Sequence, residues 1–403
     1  MSSNATKSAT AGRRGPDVRS DCWVSVEPTS GGGIDLTVRS KVEPMYGDAI
    51  RSLAREVLAA LGITAARVEI EDAGALPFVI MARLEAAVRR LRGCEAEADC
   101  PAFLPEFQPA CQYPTERDRF RRSRLYLPGN EPKFMLNAGL HRPDGVILDL
   151  EDSVAPAVKD EARLLVRNAL RSIDFCGAER MVRINQGQRG LEDLDYIVPH
   201  NVHVVLIPKV EDPEQVRAVD QRIAGLLERY NIERPVYLMP IIESALGAIR
   251  AYEIATASGN ICALTIGLED YTADIGAQRT NEGRESFWAR SQVVNAARAA
   301  GVQPIDTVFS DVADMEGLRA SVLEAKSLGF DGKGCIHPRQ IRVIHEAFAP
   351  TEEELAKARR IVAAFEEAQA KGLAAVSLGS KMIDPPVVKR AQRIVALAGA
   401  AER

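Results

Sequence analysis

The sequence has 403 residues, with 51 Lys and Arg against 56 Asp and Glu, which leaves a formal net charge of −5. Its 46% hydrophobic and 27% charged residues exclude a disordered protein and indicate a large core, and the length favours two domains. The hydrophobic runs are too short and too often interrupted by charges to span a bilayer. The mild acidity argues against a nucleic-acid surface.

The N-terminal residues and the cysteines indicate in which cellular compartment the protein is found. Residues 1–20 are polar and lack the apolar segment of a secretory signal, so we expect a cytoplasmic protein in which residues 1–19 form a disordered tail. The seven cysteines are scattered and include no C-x-x-C pair. This pattern predicts reduced thiols rather than a disulfide framework or a zinc site.

Residues 20–92 predict a small α+β domain, because alternating polar and apolar residues indicate strands and three- to four-residue apolar repeats indicate helices. Its predicted elements are strands at 22–28 and 34–40, a helix at 50–61, a strand at 67–71 and a helix at 82–92. The Thr-Ser-Gly-Gly-Gly segment between the first two strands predicts a hairpin turn. Residues 93–120 contain four prolines and no regular period, which predicts an extended linker.

Residues 121–348 alternate strand-like apolar runs with helical periods, which predicts a parallel (β/α)₈ TIM barrel. The predicted strands are 124–127, 145–150, 181–184, 202–208, 236–241, 262–266, 305–308 and 334–336. An open doubly wound sheet is the alternative, but no G-x-G-x-x-G follows the first strand. Residues 349–403 predict a helical C-terminal arm.

Polar side chains follow several of these strands, and in a barrel the C-terminal strand ends form the active site. Glu243 and Asp270 follow consecutive strands and are a natural pair of oxygen ligands for Mg²⁺. Glu151 and Asp152 are placed to hold water ligands of the ion, and Arg183 to stabilise a developing oxyanion. Each acid could alternatively cap the helix that follows it or pair with a neighbour.

Several motifs in order resemble the citrate lyase β-subunit family, which includes malyl-CoA and citramalyl-CoA lyases. They are RRSRLYLPGN (121–130), DGVILDLEDSV (144–154), VRIN (182–185), PIIESALG (240–247), EDYTADIGAQRT (269–280) and GSKMIDPPVV (379–388). The N-terminal unit, with IDLTVRSKVEPMYGDAIR (34–51) and ARLEA (82–86), resembles the citrate lyase γ-subunit, an acyl carrier. The chain therefore looks like a fusion of the two.

The resemblance implies an Mg²⁺-dependent carbon–carbon lyase that cleaves a 3-hydroxyacyl thioester, such as citryl-CoA or citryl-carrier, to an oxo acid and an acetyl thioester. It implies that Glu243 and Asp270 bind Mg²⁺ and that Arg183 contacts the thioester oxygen. It also implies that Asp384 reaches a neighbouring subunit's site from the C-terminal arm and acts there as a general base. The family implies a homotrimer or homohexamer.

The same resemblance implies further binding residues. Arg122 and Lys133 would approach the phosphates of CoA or of the carrier, and Lys209 would either face the substrate or form a structural salt bridge. The carrier's phosphopantetheine-type group would be attached at Ser20, although Arg19 takes the expected position when the motif is aligned without a gap. Either Ser20 accepts the group in a shifted register or the carrier function is lost.

Three alternatives stay open at this point. One is a malyl-CoA or citramalyl-CoA lyase that acts on free CoA thioesters and has a vestigial carrier domain. Another is a pyruvate aldolase on free acids, and a third is a non-catalytic assembly component. The chain contains nothing that resembles the citrate lyase α-subunit, so a separate transferase of that kind would be a partner in any cleavage of free citrate.

Overall fold

A computed structural model describes residues 8–94, 101–370, 376–378 and 381–401. Within these ranges no helix has the length and apolar character needed to cross a membrane. Parts of two predicted segments, the linker at 95–100 and the C-terminal arm at 371–375 and 379–380, lie outside the described residues.

The N-terminal domain is a four-stranded sheet covered by two helices. Its strands lie in the order β1-β2-β4-β3, and β4 pairs antiparallel with β2 and parallel with β3. The elements are β1 (Ala9–Gly12), β2 (Cys22–Pro28), β3 (Ile34–Ser40), α1 (Glu43–Ala60), β4 (Ala66–Asp72) and α2 (Pro77–Arg92).

Two expectations about this domain are wrong. Part of the predicted disordered tail is β1, which pairs with β2 from Ala9–Val26 to Gly12–Trp23 and so adds an edge strand to the sheet. The predicted hairpin does not form, because β4 lies between β2 and β3 and pairs with each of them through seven residues. The Gly-rich segment is therefore a connection across a central strand.

The second domain confirms the predicted barrel, with eight parallel strands in chain order and the last strand pairing with the first. Every predicted strand overlaps an observed one. The strands are β5 (Ser123–Pro128), β6 (Gly145–Asp149), β7 (Glu179–Arg183), β8 (Val204–Ile207), β9 (Tyr237–Ile242), β10 (Ala263–Ile266), β11 (Gln303–Asp306) and β12 (Gly332–Cys335).

Helices surround the barrel and cover its apolar outer face. They are α3 (Pro132–Met135), α4 (Lys159–Ser172), α5 (Gly187–Ile197), α6 (Pro213–Arg229), α7 (Ala245–Ile249), α8 (Ala251–Ala255), α9 (Leu268–Asp274), α10 (Phe287–Ala299), α11 (Met315–Leu328) and α12 (Pro338–Phe348). The C-terminal arm has α13 (Glu352–Ala370), the two-stranded pair β13 (Val376–Leu378) and β14 (Lys381–Ile383), and α14 (Pro385–Ala401).

The described part of the linker, residues 101–120, contains no α-helix or strand apart from a short 3-10 turn at Pro109–Cys111, and it runs along the barrel. Gln108 N–H donates to Arg171 O at 2.9 Å, and the Tyr113 hydroxyl donates to Ala178 O at 2.6 Å. Cys94, where the linker begins, is disulfide-bonded, whereas the other described cysteines are free. The expectation that all thiols are reduced is therefore wrong at Cys94.

The two domains are joined by buried ion pairs between α2 and α4. Arg83 donates to both carboxylate oxygens of Asp21 at 2.9 Å and lies 3.5 Å from Glu161 of the barrel. Glu85 accepts from Arg167 at 2.6 Å, and both side chains are fully buried. Since charges leave water only when they are paired, these contacts fix the N-terminal domain against the second βα unit of the barrel.

Candidate active site

The strand ends of the barrel bring acidic and basic side chains to one cavity of about 400 Å³. Because the C-terminal ends of parallel strands meet at the same edge, residues far apart in sequence become neighbours. The charged residues that line this cavity are Arg124, Asp149, Asp152, Arg183, Glu243, Glu269, Asp270 and Asp306.

Arg183, at the end of β7, is held by two hydrogen bonds. Its Nε and Nη2 donate to the two carboxylate oxygens of Asp149, each at 2.7 Å. Burial by itself would lower the pKa of Arg183, but the bonds to Asp149 outweigh burial and raise the pKa. The third nitrogen, Nη1, lies 3.1 Å from Glu151 Oε2 and 3.4 Å from Asp152 Oδ2. The charge is therefore permanent and one nitrogen faces the acidic end of the cavity.

Glu243 follows β9 and is buried. Its Oε1 accepts the backbone N–H of Lys209 at 2.7 Å. Burial is the main cause that raises the pKa of Glu243 to about 8, and the nearby negative charge of Asp270 adds to it. Gly267 leaves room for this carboxylate, because a Cβ atom there would lie 2.6 Å from Glu243 Oε2.

Lys209 occupies the space between three carboxylates. Its Nζ lies 3.4 Å from Glu151 Oε1, 3.6 Å from Asp152 Oδ1 and 3.4 Å from Asp270 Oδ1. Burial would lower the pKa of Lys209, but these carboxylates raise it. Of the two predicted roles, the structure places Lys209 in salt bridges. The ammonium group shows that this end of the cavity favours a cation.

The predicted ligands fit Mg²⁺ by their chemistry. Glu243 and Asp270 offer only oxygen atoms, and Mg²⁺ usually takes one or two carboxylates and retains several waters. Among the described residues no cluster of three or more His, Cys, Asp or Glu forms a ready-made metal cage, which a two-carboxylate site does not require. Lys209 contacts Glu151 and Asp152 as well as Asp270, so these two acids lie near the predicted ligands. Their carboxylates could accept hydrogen bonds from water molecules bound to an ion.

Arg124 is a site residue that the sequence analysis missed. It lies on β5, inside the barrel, where its Nη2 donates to Thr265 Oγ1 at 3.1 Å and its Nη1 contacts Met239 Sδ at 3.0 Å. Burial lowers the pKa of this guanidinium. The position of Arg124 in the alternating pattern of β5 could have indicated this role, because the pattern places the side chain on the inward face of the barrel, where it lines the cavity.

Comparison with known proteins identifies the family. Residues 122–338 match the HpcH/HpaI aldolase/citrate lyase model, which covers more than half of the chain. The citrate lyase β-subunit of Leuconostoc mesenteroides subsp. cremoris is 40% identical over 292 residues, which are 70% of this chain and 95% of that protein. The chain belongs to the HpcH/HpaI aldolase/citrate lyase family. The predicted enzyme class, a carbon–carbon lyase, is confirmed.

Other members of the HpcH/HpaI family are similar over the same region. Human mitochondrial citramalyl-CoA lyase is 36% identical over 69% of this chain and 85% of its own length. The CitE protein of Mycobacterium tuberculosis, solved in complex with magnesium, acetoacetate and coenzyme A, is 32% identical with a TM-score of 0.57, over 70% of this chain and 100% of that one. The N-terminal residues 7–91 match the malonate decarboxylase delta subunit model of acyl carriers, which confirms the carrier-like domain.

Some predicted residues are not brought to the cavity. Arg122 precedes β5 and so lies at the opposite end of the barrel, where its Nε and Nη2 donate to Asp144 at 2.9 Å. The expectation that Arg122 approaches CoA phosphates is therefore not met. Asp384 is exposed at the start of α14, where its Oδ1 accepts the Val387 N–H at 3.3 Å. Its role in a neighbouring subunit stays a prediction.

The remaining two predicted residues lie near the site face. Lys133 follows β5 on the cavity side, is exposed and lies 3.5 Å from Glu131. Ser20 has a left-handed backbone with φ of 55° and donates its N–H to Ala73 O at 3.0 Å. The next residue, Asp21, is buried against Arg83, which also donates to Asn130 O at 3.2 Å in the loop after β5. Ser20 therefore sits close to the domain boundary.

Proposed function

We propose that this protein cleaves a citryl-type 3-hydroxyacyl thioester to an oxo acid such as oxaloacetate and an acetyl thioester, with Mg²⁺ as cofactor. The observation that carries the proposal is that Arg183, held in place by Asp149, lines the same cavity as Glu243 and Asp270. The magnesium, acetoacetate and coenzyme A complex of the M. tuberculosis relative supports the same ligand classes.

In this proposal Glu243 and Asp270 would hold the metal ion, and Glu151 and Asp152 would face its water ligands. When bound, Mg²⁺ supplies positive charge that favours loss of the substrate's hydroxyl proton. Glu243 must be ionised to do this, so cation binding displaces its proton.

Arg183 stabilises the charge that develops on the thioester. Once the 3-hydroxyl is deprotonated, its electrons form the carbonyl of the oxo acid, the C2–C3 bond breaks and the bonding pair moves onto the thioester as an enolate. Because Nε and Nη2 are held by Asp149, Nη1 is the donor proposed for the enolate oxygen, and it would exchange its contacts with Glu151 and Asp152 for that oxygen. Such contacts typically lower a barrier by about 3–4 kcal/mol.

Proton transfer completes the reaction. We propose that Asp384 of a neighbouring chain accepts the hydroxyl proton and that the same proton is returned to the enolate carbon, which gives the acetyl thioester. A carboxylate exposed on the C-terminal arm, as Asp384 is, suits a group that enters another chain's cavity. This assignment also requires the homo-oligomer that the family resemblance implies.

A second candidate, a malyl-CoA or citramalyl-CoA lyase on free CoA thioesters, is favoured by the carrier-like domain itself. Arg19 occupies the position where the attachment serine is expected. Asp21, the residue after Ser20, is buried at the boundary between the two domains. If Ser20 carries no group, the substrate is a free CoA thioester. If it does, a citrate lyase α-like transferase is the expected partner.

The deciding experiment measures cleavage of citryl-, citramalyl- and malyl-CoA with and without Mg²⁺, with Asp270→Ala as the inactive control. We expect Mg²⁺-dependent release of an oxo acid from one thioester and none from the free hydroxy acids. Cleavage of free acids would indicate the aldolase alternative, and no cleavage with any substrate would favour an assembly role. Intact mass of the protein from its native host tests for a group on Ser20.

A further inference from the structure

Arg124 is a buried arginine inside the barrel that forms no salt bridge with any described residue. It is only 1% exposed, and the acceptors of its hydrogen bonds are uncharged. They are the Thr265 hydroxyl at 3.1 Å, the Asp306 backbone oxygen at 3.4 Å and the Met239 sulfur at 3.0 Å. Its Nε has no partner within the part of the chain that the structure describes. Because a guanidinium stays charged in proteins, this position holds a positive charge that lacks a counter-ion.

The carboxylate of Asp306, close to Arg124, is already used by other cations. Its Oδ1 and Oδ2 accept from Arg290 at 3.2 and 3.0 Å, and Oδ2 also accepts from Lys333 at 2.8 Å. Arg290 has a second acid partner, Glu324, at 2.8 Å. Two carboxylates therefore serve three cations, and Arg124 is the cation left without an acid among the described residues.

The guanidinium of Arg124 lies in the same cavity as the predicted metal ligands, but deeper in the barrel. Its partner Thr265 is in register with Ile241 of β9, and Glu243 follows Ile241 by two residues. Since two residues of a strand span about 7 Å, the guanidinium is roughly that far below the level of Glu243. The cavity therefore has acidic groups at its mouth and a cation at its base.

Tyr126 separates the two arginines of this cavity. It lies two residues after Arg124 on β5 and so points to the same face of the sheet. The guanidinium of Arg183 lies 5.4 Å from the centre of the Tyr126 ring. Ile241 and Gly334 also line the cavity and bring no polar side chain to it. A ligand that fills this space can therefore place one anionic group at Arg183 and another at Arg124.

The candidate substrates differ in one substituent on the carbon that bears the hydroxyl. This substituent is a carboxymethyl group in a citryl thioester, a methyl group in a citramalyl thioester and a hydrogen atom in a malyl thioester. Of the three, the carboxymethyl group alone ends in a carboxylate, which a guanidinium can bind through two parallel hydrogen bonds. A methyl group or a hydrogen atom would leave the buried charge of Arg124 without a partner, which is costly.

We propose that Arg124 binds the carboxylate of the substrate's carboxymethyl group and thereby selects a citryl thioester over citramalyl and malyl thioesters. This proposal rests on the thioester-lyase function proposed above and names the residue that decides its substrate. Arg124 takes no part in bond cleavage. The carboxymethyl group remains in oxaloacetate after cleavage, whereas the oxo acid from a citramalyl thioester, pyruvate, has a methyl group in its place. The two oxo acids therefore report the contact with Arg124 directly.

Binding of these oxo acids tests the proposal without turnover. Calorimetry in the presence of Mg²⁺ measures the Kd of oxaloacetate and of pyruvate for the wild-type chain and for Arg124→Met. Methionine removes the charge and keeps an apolar chain, so the barrel should tolerate it, which thermal melting checks.

Arg117→Met is the matched control. Arg117 also has an Nε without a partner among the described residues, and it donates to a backbone oxygen, that of Ile261, at 3.0 Å. It precedes β5, however, and so lies at the end of the barrel opposite the cavity. This variant removes a similar guanidinium without changing the candidate active site.

We expect the wild type to bind oxaloacetate roughly 10²-fold more tightly than pyruvate, and Arg124→Met to lose most of this preference through weaker binding of oxaloacetate alone. In cleavage assays Arg124→Met should lower kcat/KM for citryl-CoA about 10²- to 10³-fold and change that for citramalyl-CoA by less than about threefold. Arg124→Lys keeps the charge but not the two-bond geometry, so its preference should be intermediate. Arg117→Met should match the wild type.

Equal affinity of the wild type for oxaloacetate and pyruvate would overturn the proposal, and so would an Arg124→Met variant that keeps the preference or loses both ligands equally. The same loss of preference in Arg117→Met would also overturn it. If Arg124→Met does not fold, Arg124→Lys supplies the same comparison. An Arg124-dependent preference without Mg²⁺-dependent cleavage of any thioester would contradict the proposed function and leave the carboxylate site standing. Cleavage of citryl-CoA and citramalyl-CoA with equal kcat/KM would do the reverse.

Discussion

Asp149 and Arg183 are register partners at the ends of neighbouring strands, and their side chains form a two-bond ion pair across that register. The pair is therefore positioned by the sheet itself. Asp149 is further fixed because it accepts the backbone N–H groups of Glu151 and Ser153 at 3.0 and 3.1 Å. The direction of the third nitrogen, Arg183 Nη1, is thus set by β6, β7 and the loop after β6.

This relationship predicts that Asp149→Asn impairs catalysis more than binding. An asparagine keeps the shape but offers one oxygen in place of two, so Arg183 Nη1 is no longer held toward the substrate. We expect kcat to fall about 10²-fold with a small change in KM. Asp195→Asn, which breaks an exposed pair with Arg222, is the control and should retain activity. An unchanged kcat in Asp149→Asn would show that the pair is only structural.

The raised pKa of Glu243 predicts a pH-dependent affinity for Mg²⁺. Without metal the carboxyl has a pKa of about 8, so below that pH it is largely protonated and must release a proton to bind a cation. The apparent affinity should rise up to about tenfold per pH unit below pH 8 and level off above it. Calorimetry in buffers of different ionisation enthalpy measures the released proton. An affinity that is flat from pH 6 to 8 would contradict this assignment.

A substitution at Gly267 provides a second test of the Glu243 carboxylate. In Gly267→Ala the new Cβ would lie 2.6 Å from Glu243 Oε2 and 3.1 Å from its Cβ, so Glu243 must move. We expect Mg²⁺ affinity to fall about 10- to 100-fold, as for other changes to groups that orient a ligand. Gly259→Ala meets no atom within 4 Å and is the control. Equal Mg²⁺ affinity in both variants would remove Glu243 from the metal site.

The sequence predicted the barrel well because each strand has its own apolar run and each run alternates with a helix. It also predicted that Glu243 and Asp270 lie at one cavity, since strand ends meet at one face of a barrel, and their binding of Mg²⁺ stays a prediction. The expectation for Arg122 came from the family resemblance, although the predicted strand at 124–127 already placed Arg122 before β5 and therefore at the other end of the barrel. The sequence could not predict that β4 lies between β2 and β3, since turn residues indicate where the chain reverses but not which strands pair with each other.

The buried contact between Arg83 and Glu161 predicts that the N-terminal domain depends on the barrel for stability. Arg83→Met leaves Asp21 and Glu161 with fewer partners in a buried place, and breaking such a pair typically costs about 3–5 kcal/mol. The sequence contains two tryptophans, Trp23 in the N-terminal domain and Trp288 in the barrel. In a Trp288→Phe background, urea unfolding followed by fluorescence therefore reports the N-terminal domain.

We expect the Trp23 transition of Arg83→Met to move to lower urea and to separate from the barrel transition, which the reciprocal Trp23→Phe background reports. The control is Arg67→Met, which removes an exposed pair with Glu27 and should change the free energy of unfolding by no more than about 1 kcal/mol. If the two transitions of Arg83→Met stay together at the wild-type urea concentration, Arg83 does not hold the domains together, and the other interdomain contacts, such as the Glu85–Arg167 pair, do so.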